Sequence, residues 1–207
     1  TEIGALALTC DVRDSNIAER AVDAAREAHG PARILVNCAG IGTPGKAVSR
    51  DGPLPIEVFS RVIEVNLIGT FNVIRLAAAE MQKLDAVDDD ERGVIINTAS
   101  VAAYDGQIGQ VAYAASKGGV VGMTLPLARE FAQFGIRVVT IAPGIFETPM
   151  LRGLPEAAQQ SLAASIPYPS RLGYASEYAD LVMHILDNHM LNGEVIRLDG
   201  AIRMAPR

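Results

Sequence analysis

Residues 93–100 read GVIINTAS and residues 136–144 read IRVVTIAPG. Each is a short, nearly unbroken apolar run that stops at a small or polar residue, the pattern of a strand covered on both faces of a parallel sheet. Between them lies QVAYAASKGGVVGMTLPLAREFAQF (110–134), long enough for a helix of several turns, with a kink expected at Pro126. Strand, long helix, strand is the parallel crossover unit, and it sets the fold class.

The alternation extends in both directions. Upstream, ALALTCDV (5–12) reads as a strand, and the segment 14–29 as a helix capped by Asp14 or Ser15 with Ile17, Ala21, Val22 and Ala25 on one face. ARILVNCAG (32–40) is a further strand, and 55–84 a long helix with Pro55 suited to its first turn. Downstream, 145–170 is a long excursion with a short helix near 155–165, followed by a helix over 176–188 capped by Ser176 and a last strand over 193–200. The expectation is an α/β chain with a doubly wound, Rossmann-like parallel sheet, and neither a repeat nor a linker divides it.

A chain of 207 residues with 49% hydrophobic and 20% charged residues suffices for one globular core. The net charge of −6 and the lack of a Lys/Arg cluster argue against a nucleic-acid partner. The acidic run Asp88-Asp89-Asp90-Glu91 reads as a solvated loop. Cys10 and Cys38 are the only cysteines, which suggests neither a disulfide framework nor a metal site, and a reducing compartment. No unbroken apolar run of 18 or more residues and no secretory signal pattern is present, so no membrane partner is expected.

GIGTPG (40–45) matches G-x-G-x-x-G after a strand. A dinucleotide fingerprint needs a helix to open at once, so that its first N–H groups meet the pyrophosphate. The residues that follow, KAVSRDGPLP, carry no helical period and hold two prolines, so the expectation here is a plain loop.

Of the five tyrosines, only Tyr113 has a lysine four residues later, Lys117, and it has Ser100 thirteen residues before it. Positions i and i+4 share a helix face, so the Lys117 ammonium can stand beside the phenol and favour its ionised form. Ser100 closes a strand at the carboxyl end of the sheet, where active groups gather in open α/β folds. Each feature alone is commonly structural, but together they suit proton transfer at an alcohol or carbonyl oxygen.

These residues carry a resemblance. Ser100 with YAASK (113–117), NCAG (37–40), VNLIGTF (65–71), APGIFETP (142–149) and CDV (10–12) resemble the short-chain dehydrogenase/reductase family across essentially the whole chain. The C-terminal half is similar to the group of type-2 3-hydroxyacyl-CoA dehydrogenases, also described as type-10 17β-hydroxysteroid dehydrogenases. The resemblance implies reversible hydride transfer between NAD(H) and a secondary alcohol or ketone, a 3-hydroxyacyl-CoA/3-ketoacyl-CoA pair or a hydroxysteroid. It implies Tyr113 as acid/base, Lys117 as its partner and ribose contact, Ser100 on the substrate oxygen, and Asn66 holding a proton-relaying water. It further implies Asp11 and Val12 at the adenine, Cys38, Ala39 and Gly40 at the adenosine ribose, and Pro143, Gly144, Phe146 and Thr148 around the nicotinamide. Gln107 and Gln110 would line the substrate pocket, and no metal is implied. Residues 145–175 would be a substrate lid within a single NAD(P)-binding domain over 1–207.

The family's T-G-x-x-x-G-x-G loop does not occur in the chain, nor does the acidic residue that selects NAD over NADP. The expectation is an N-terminally incomplete domain lacking its first two strands, with roughly 50 residues upstream. A second reading, a truncated non-catalytic paralogue acting as a binding or scaffold subunit, is disfavoured by the intact Ser100, Tyr113, Lys117 and Asn66. A hydrolase is disfavoured because no G-x-S-x-G elbow is present. The resemblance implies a homotetramer joined through the long helices and the final strand, in a bacterial cytoplasm or a mitochondrial matrix.

Overall fold

The computed structural model describes residues 4–148, 151 and 155–206. The expected lid over 145–175 lies partly outside them. Helix α1 (Ser15–His29) leads to strand β1 (Ile34–Asn37) and a small antiparallel hairpin, β2 (Val48–Ser49) with β3 (Gly52–Pro53). Helix α2 (Ile56–Ile63) passes through a π-helical turn, Glu64–Gly69, into α3 (Thr70–Met81). Strand β4 (Gly93–Thr98), helix α4 (Val111–Phe131), strand β5 (Ile136–Pro143), helix α5 (Glu156–Ala164), helix α6 (Ala175–Asp187) and strand β6 (Val195–Leu198) follow.

The main sheet is parallel throughout, in the order β1-β4-β5-β6. Alternate residues of its central strands point to opposite layers. Ile95, Ile136 and Val138 meet Ile74, Met81, Leu127 and Phe131 of α3 and α4. Val94, Ile96, Val139 and Ile141 meet Ile185 and the apolar side of α6. Helices on both faces explain why β4 and β5 are continuous apolar runs rather than alternating ones. The α/β, doubly wound expectation therefore holds.

Several expected elements differ. Residues 5–12 form no strand, although their composition matches that of β1, and Leu6 and Leu8 are each 45% exposed. An extended run is a strand only when a neighbour takes its backbone hydrogen bonds. Among the described residues β1 pairs with β4 alone, which leaves Ile34 and Val36 half exposed at its other edge. The expected single helix over 55–84 contains the π turn, and α4 runs on through Pro126. Asp14 caps α1, accepting the N–H groups of Asn16 and Ile17. The helix expected at 176 starts one residue earlier, with Tyr174 at its cap in place of Ser176. The Glu177 carboxylate reaches back to the Tyr174 N–H at 2.7 Å and pairs with Arg171. The loop at 40–45 opens no helix, as expected, and is tied down by the Gly45 N–H on the Gly109 carbonyl at 2.7 Å.

The helix from Ile56 to Met81 is long and apolar enough to cross a membrane, with a mean hydropathy of 1.4. Here it is an inner layer of the fold: Val62, Ile74 and Met81 are fully buried, as are the polar Asn66 and most of Asn72.

Candidate active site

The carboxyl ends of β1, β4 and β5 open on one cavity of about 810 Å3. Ser100 lies two residues past the end of β4, its Oγ accepting the Ala102 N–H at 3.1 Å, which fixes the side chain at the start of a short 3-10 turn. Tyr113 and Lys117 project from the first turns of α4. The Ser100 hydroxyl stands near enough to the Tyr113 phenol to favour its ionised form. Lys117 is buried, with Nζ 2.7 Å from the Thr98 carbonyl oxygen and 5.8 Å from the Tyr113 ring centroid. One of its three N–H donors is thereby engaged, and two can face a ligand's hydroxyl oxygens.

Burial dominates the electrostatics. It pushes the Tyr113 phenol above its ordinary value, and the nearby Ser100 hydroxyl pulls the other way. Burial likewise draws Lys117 down to about 8, opposed by the Cys38 sulfur nearby. The ammonium is not among the groups that lower the phenol, in contrast to the simple picture from i,i+4 spacing. The protein's own groups therefore keep Tyr113 protonated at neutral pH, the form that donates a proton to a carbonyl oxygen.

Asn66 sits in the π turn, where the extra residue per turn re-aims side chains and often marks a functional site. Its side chain is fully buried and clamps the β1 exit loop: Oδ1 accepts the Ile41 N–H at 2.8 Å, and Nδ2 donates to the Ile41 carbonyl at 2.9 Å and to Ser116 Oγ at 3.0 Å. Gly40 passes so close that a Cβ there would lie 3.3 Å from Asn66 Oδ1 and 3.6 Å from Lys117 Nζ. A side chain at this position would fill the floor of the cavity, so glycine keeps it open.

Cys38, Gly40, Pro143, Gly144, Phe146, Thr148, Gln107 and Gln110 line the same cavity as Ser100, Tyr113 and Lys117. Asp11, Val12 and Ala39 lie outside its lining. Asp11 pairs with Arg13 at 2.6 Å, which holds its carboxyl down at about 2. Val12 packs on Gly69, and its carbonyl accepts Asn72 Nδ2 at 2.9 Å. Sequence reasoning passed over Tyr178 and Met204, which also line the cavity. The Tyr178 hydroxyl meets Thr98 Oγ1 at 2.7 Å, and burial pushes its phenol up to about 12. Nothing in local spacing marks either residue, because both arrive from elements more than 60 residues beyond Tyr113.

Comparison with known proteins agrees with this geometry. Residues 1–159 match the family model described as short chain dehydrogenase. The 3-hydroxyacyl-CoA dehydrogenase type-2 of Bos taurus is 56% identical over 198 residues, 95% of this chain and 76% of that protein. A 3-oxoacyl-[acyl-carrier-protein] reductase of Thermotoga maritima is 36% identical over 93% of this chain and 74% of its own length. The crystal structure of 3-hydroxyacyl-CoA dehydrogenase type-2 from Mycobacterium avium superposes with a TM-score of 0.93 at 42% identity, covering 100% of this chain and 81% of that one. The chain belongs to the short-chain dehydrogenase family. It is an oxidoreductase that works on small molecules with a nicotinamide cofactor.

Proposed function

We propose that this chain transfers hydride reversibly between NAD(H) and the 3-hydroxyacyl-CoA/3-ketoacyl-CoA pair, with hydroxysteroids as further substrates. The observation that carries the reading is the buried Ser100–Tyr113–Lys117 arrangement at the strand ends, open to a cavity of about 810 Å3. The donor set suits a nicotinamide riboside: two free Lys117 donors, glycines at 40, 42 and 144, and a largely apolar wall from Pro143 to Phe146. When bound, the nicotinamide ring supplies or accepts the hydride at its C4. In reduction the Tyr113 hydroxyl gives its proton to the substrate oxygen, which the Ser100 hydroxyl also bonds. In oxidation the same phenol oxygen takes that proton back.

Lys117 holds the nicotinamide ribose. Asn66, pinned against Gly40 and beside Lys117, holds the water that relays protons to the ammonium. Pro143, Gly144, Phe146 and Thr148 frame the nicotinamide, Cys38, Ala39 and Gly40 the adenosine ribose, and Asp11 and Val12 the adenine. Gln107 and Gln110 line the acyl side, and 145–175 closes over it. The whole chain is one NAD(P)-binding domain. We also propose a homotetramer, supported by Ile68 and Phe71 on the long helix and Val111 and Leu125 on α4, all at least 44% exposed; monomers by light scattering would refute it. The free thiols Cys10 and Cys38 suit a bacterial cytoplasm or mitochondrial matrix.

The test follows NADH absorbance with acetoacetyl-CoA, against NADPH as control. Wild type turns over with NADH. Tyr113→Phe keeps its melting temperature and NADH affinity but loses about 100- to 10,000-fold in kcat. Wild-type kcat in Tyr113→Phe overturns the assignment of the acid/base.

A further inference from the structure

The last residues of the described chain return to the active site. After β6 the backbone turns at Gly200 and Ala201, both with φ near +60°, and Ile202 anchors it with 2% exposure. The next residues run beside the loop that joins Ser100 to Tyr113. The Ile108 N–H donates to the Pro206 carbonyl at 3.0 Å, and Gln107 Nε2 donates to the Ala205 carbonyl at 2.9 Å. Between these contacts and the anchor, Met204 lines the cavity itself.

A carboxylate of the same loop adds to this arrangement. Asp105 accepts from Arg197 Nη2 at 2.6 Å, and the Met204 backbone N–H lies near enough to help hold its carboxyl below the usual range. Arg197 also bonds Asp199 at 2.7 Å and the Ile202 carbonyl at 3.0 Å, and its guanidinium lies 5.4 Å from the Tyr104 ring centroid. The tail is therefore clamped by charged, half-buried hydrogen bonds to the loop that carries Gln107 and Gln110. Gln107 and Met204 both line the cavity, and the Gln107 side chain bonds the backbone of the residue next to Met204.

We propose that Met204 is a specificity-determining residue that closes the far end of the substrate cavity, with Asp105 as the residue that positions it. This rests on the hydride-transfer reading above and adds which group sets the size of the acyl chain. A thioether on an unbranched stem fills an irregular pocket end and yields to an atom or two of extra ligand, but not to a chain several carbons longer.

The experiment measures kcat/KM of the NADH-loaded enzyme for acetoacetyl-CoA and for 3-ketooctanoyl-CoA and reads their ratio. Met204→Ala opens the end of the cavity and raises the ratio of long to short substrate about 10-fold or more, while Met204→Phe lowers it by a similar factor. Met204→Leu stays within about threefold of wild type and serves as the conservative control. Asp105→Asn, which leaves Met204 in place, moves the ratio the same way as Met204→Ala but less, through KM of the long substrate rather than kcat of the short one. Ratios within about twofold of wild type in both Met204→Ala and Met204→Phe, with NADH affinity intact, overturn the proposal. Should Met204→Ala fail to fold, Met204→Phe and Asp105→Asn decide it on the same criterion. A wild type that reduces neither ketone overturns the functional reading and this inference with it. An active wild type with unmoved ratios overturns only the inference.

Discussion

The part of the cavity wall that carries Ser100, Tyr113 and Lys117 stands on the end of β4 and the first turns of α4, whereas a second part, with Leu162, hangs from α5. On the first wall Asn66 and Lys117 are at most 5% exposed, and the side chains of both are hydrogen-bonded to the protein. On the second, α5 has no buried residue. Proton transfer tolerates errors of a few tenths of an ångström, so its groups sit on elements whose backbones are already committed to the core. Recognition of a variable chain needs adjustable contacts, and half-exposed segments supply them.

Three substitutions can break or sharpen that contrast. Asn66→Ala strands the Ile41 N–H and carbonyl and removes one of the two bonds of the Ser116 hydroxyl, and the expected loss is about 3 kcal/mol of unfolding free energy. Denaturant titration reads it, and a loss below about 1 kcal/mol would show that the rigid wall is less committed than its hydrogen bonds imply.

Lys117→Met tests the same wall in the opposite sense. The folded chain holds Lys117 at about 8, against 10.5 when free, so burying its charge costs about 3 kcal/mol at pH 7. Between pH 8 and 10.5 the unfolded chain binds a proton that the folded chain has released, so wild-type stability rises with pH across that window. The variant lacks this term. After subtracting about 1 kcal/mol for the lost bond to Thr98, it is about 2 kcal/mol more stable than wild type at pH 7, inactive, and progressively less favoured toward pH 10. Melting curves across that range check the slope; a pH-independent difference would refute the assignment of the cost to burial.

The smallest effect belongs to the second wall. Leu162→Ala lowers stability by less than about 1 kcal/mol, because the residue is only half buried, yet raises KM for acetoacetyl-CoA severalfold at unchanged kcat. A drop in kcat there would place the residue in the chemistry rather than in recognition.

Legibility followed the same division. The runs at 93–98 and 136–143 could be read as buried strands because composition alone reports coverage on both faces. The run at 5–12 carries a similar composition and forms no strand, since pairing depends on a neighbour that local pattern does not encode. Ser100, Tyr113 and Lys117 were visible through their spacing along one loop and one helix. The π turn around Asn66 was not, because six residues in π and in α geometry have no distinct periodic signature at that length. Met204 and Asp105 were hidden for a simpler reason: the contact that joins them spans almost half the chain, and nothing near either residue announces the other.

Arg137 gives one of the strands a remote influence on the cavity. It leaves the face of β5 with 6% exposure, pairs with Glu91, and directs its guanidinium into the exit of α6, onto the carbonyls of Ile185 at 2.9 Å and Leu191 at 3.0 Å. A cation at that end complements the helix dipole and meets carbonyls that would otherwise lack donors. At the other end of the same helix, Tyr178 is moored to Thr98, whose carbonyl holds Lys117. The helix is thus a rod with two fixed bearings, one on the middle of the sheet and one at the site. Sliding it along its axis would unseat a desolvated charge, and that holds Tyr178 at its place against Thr98.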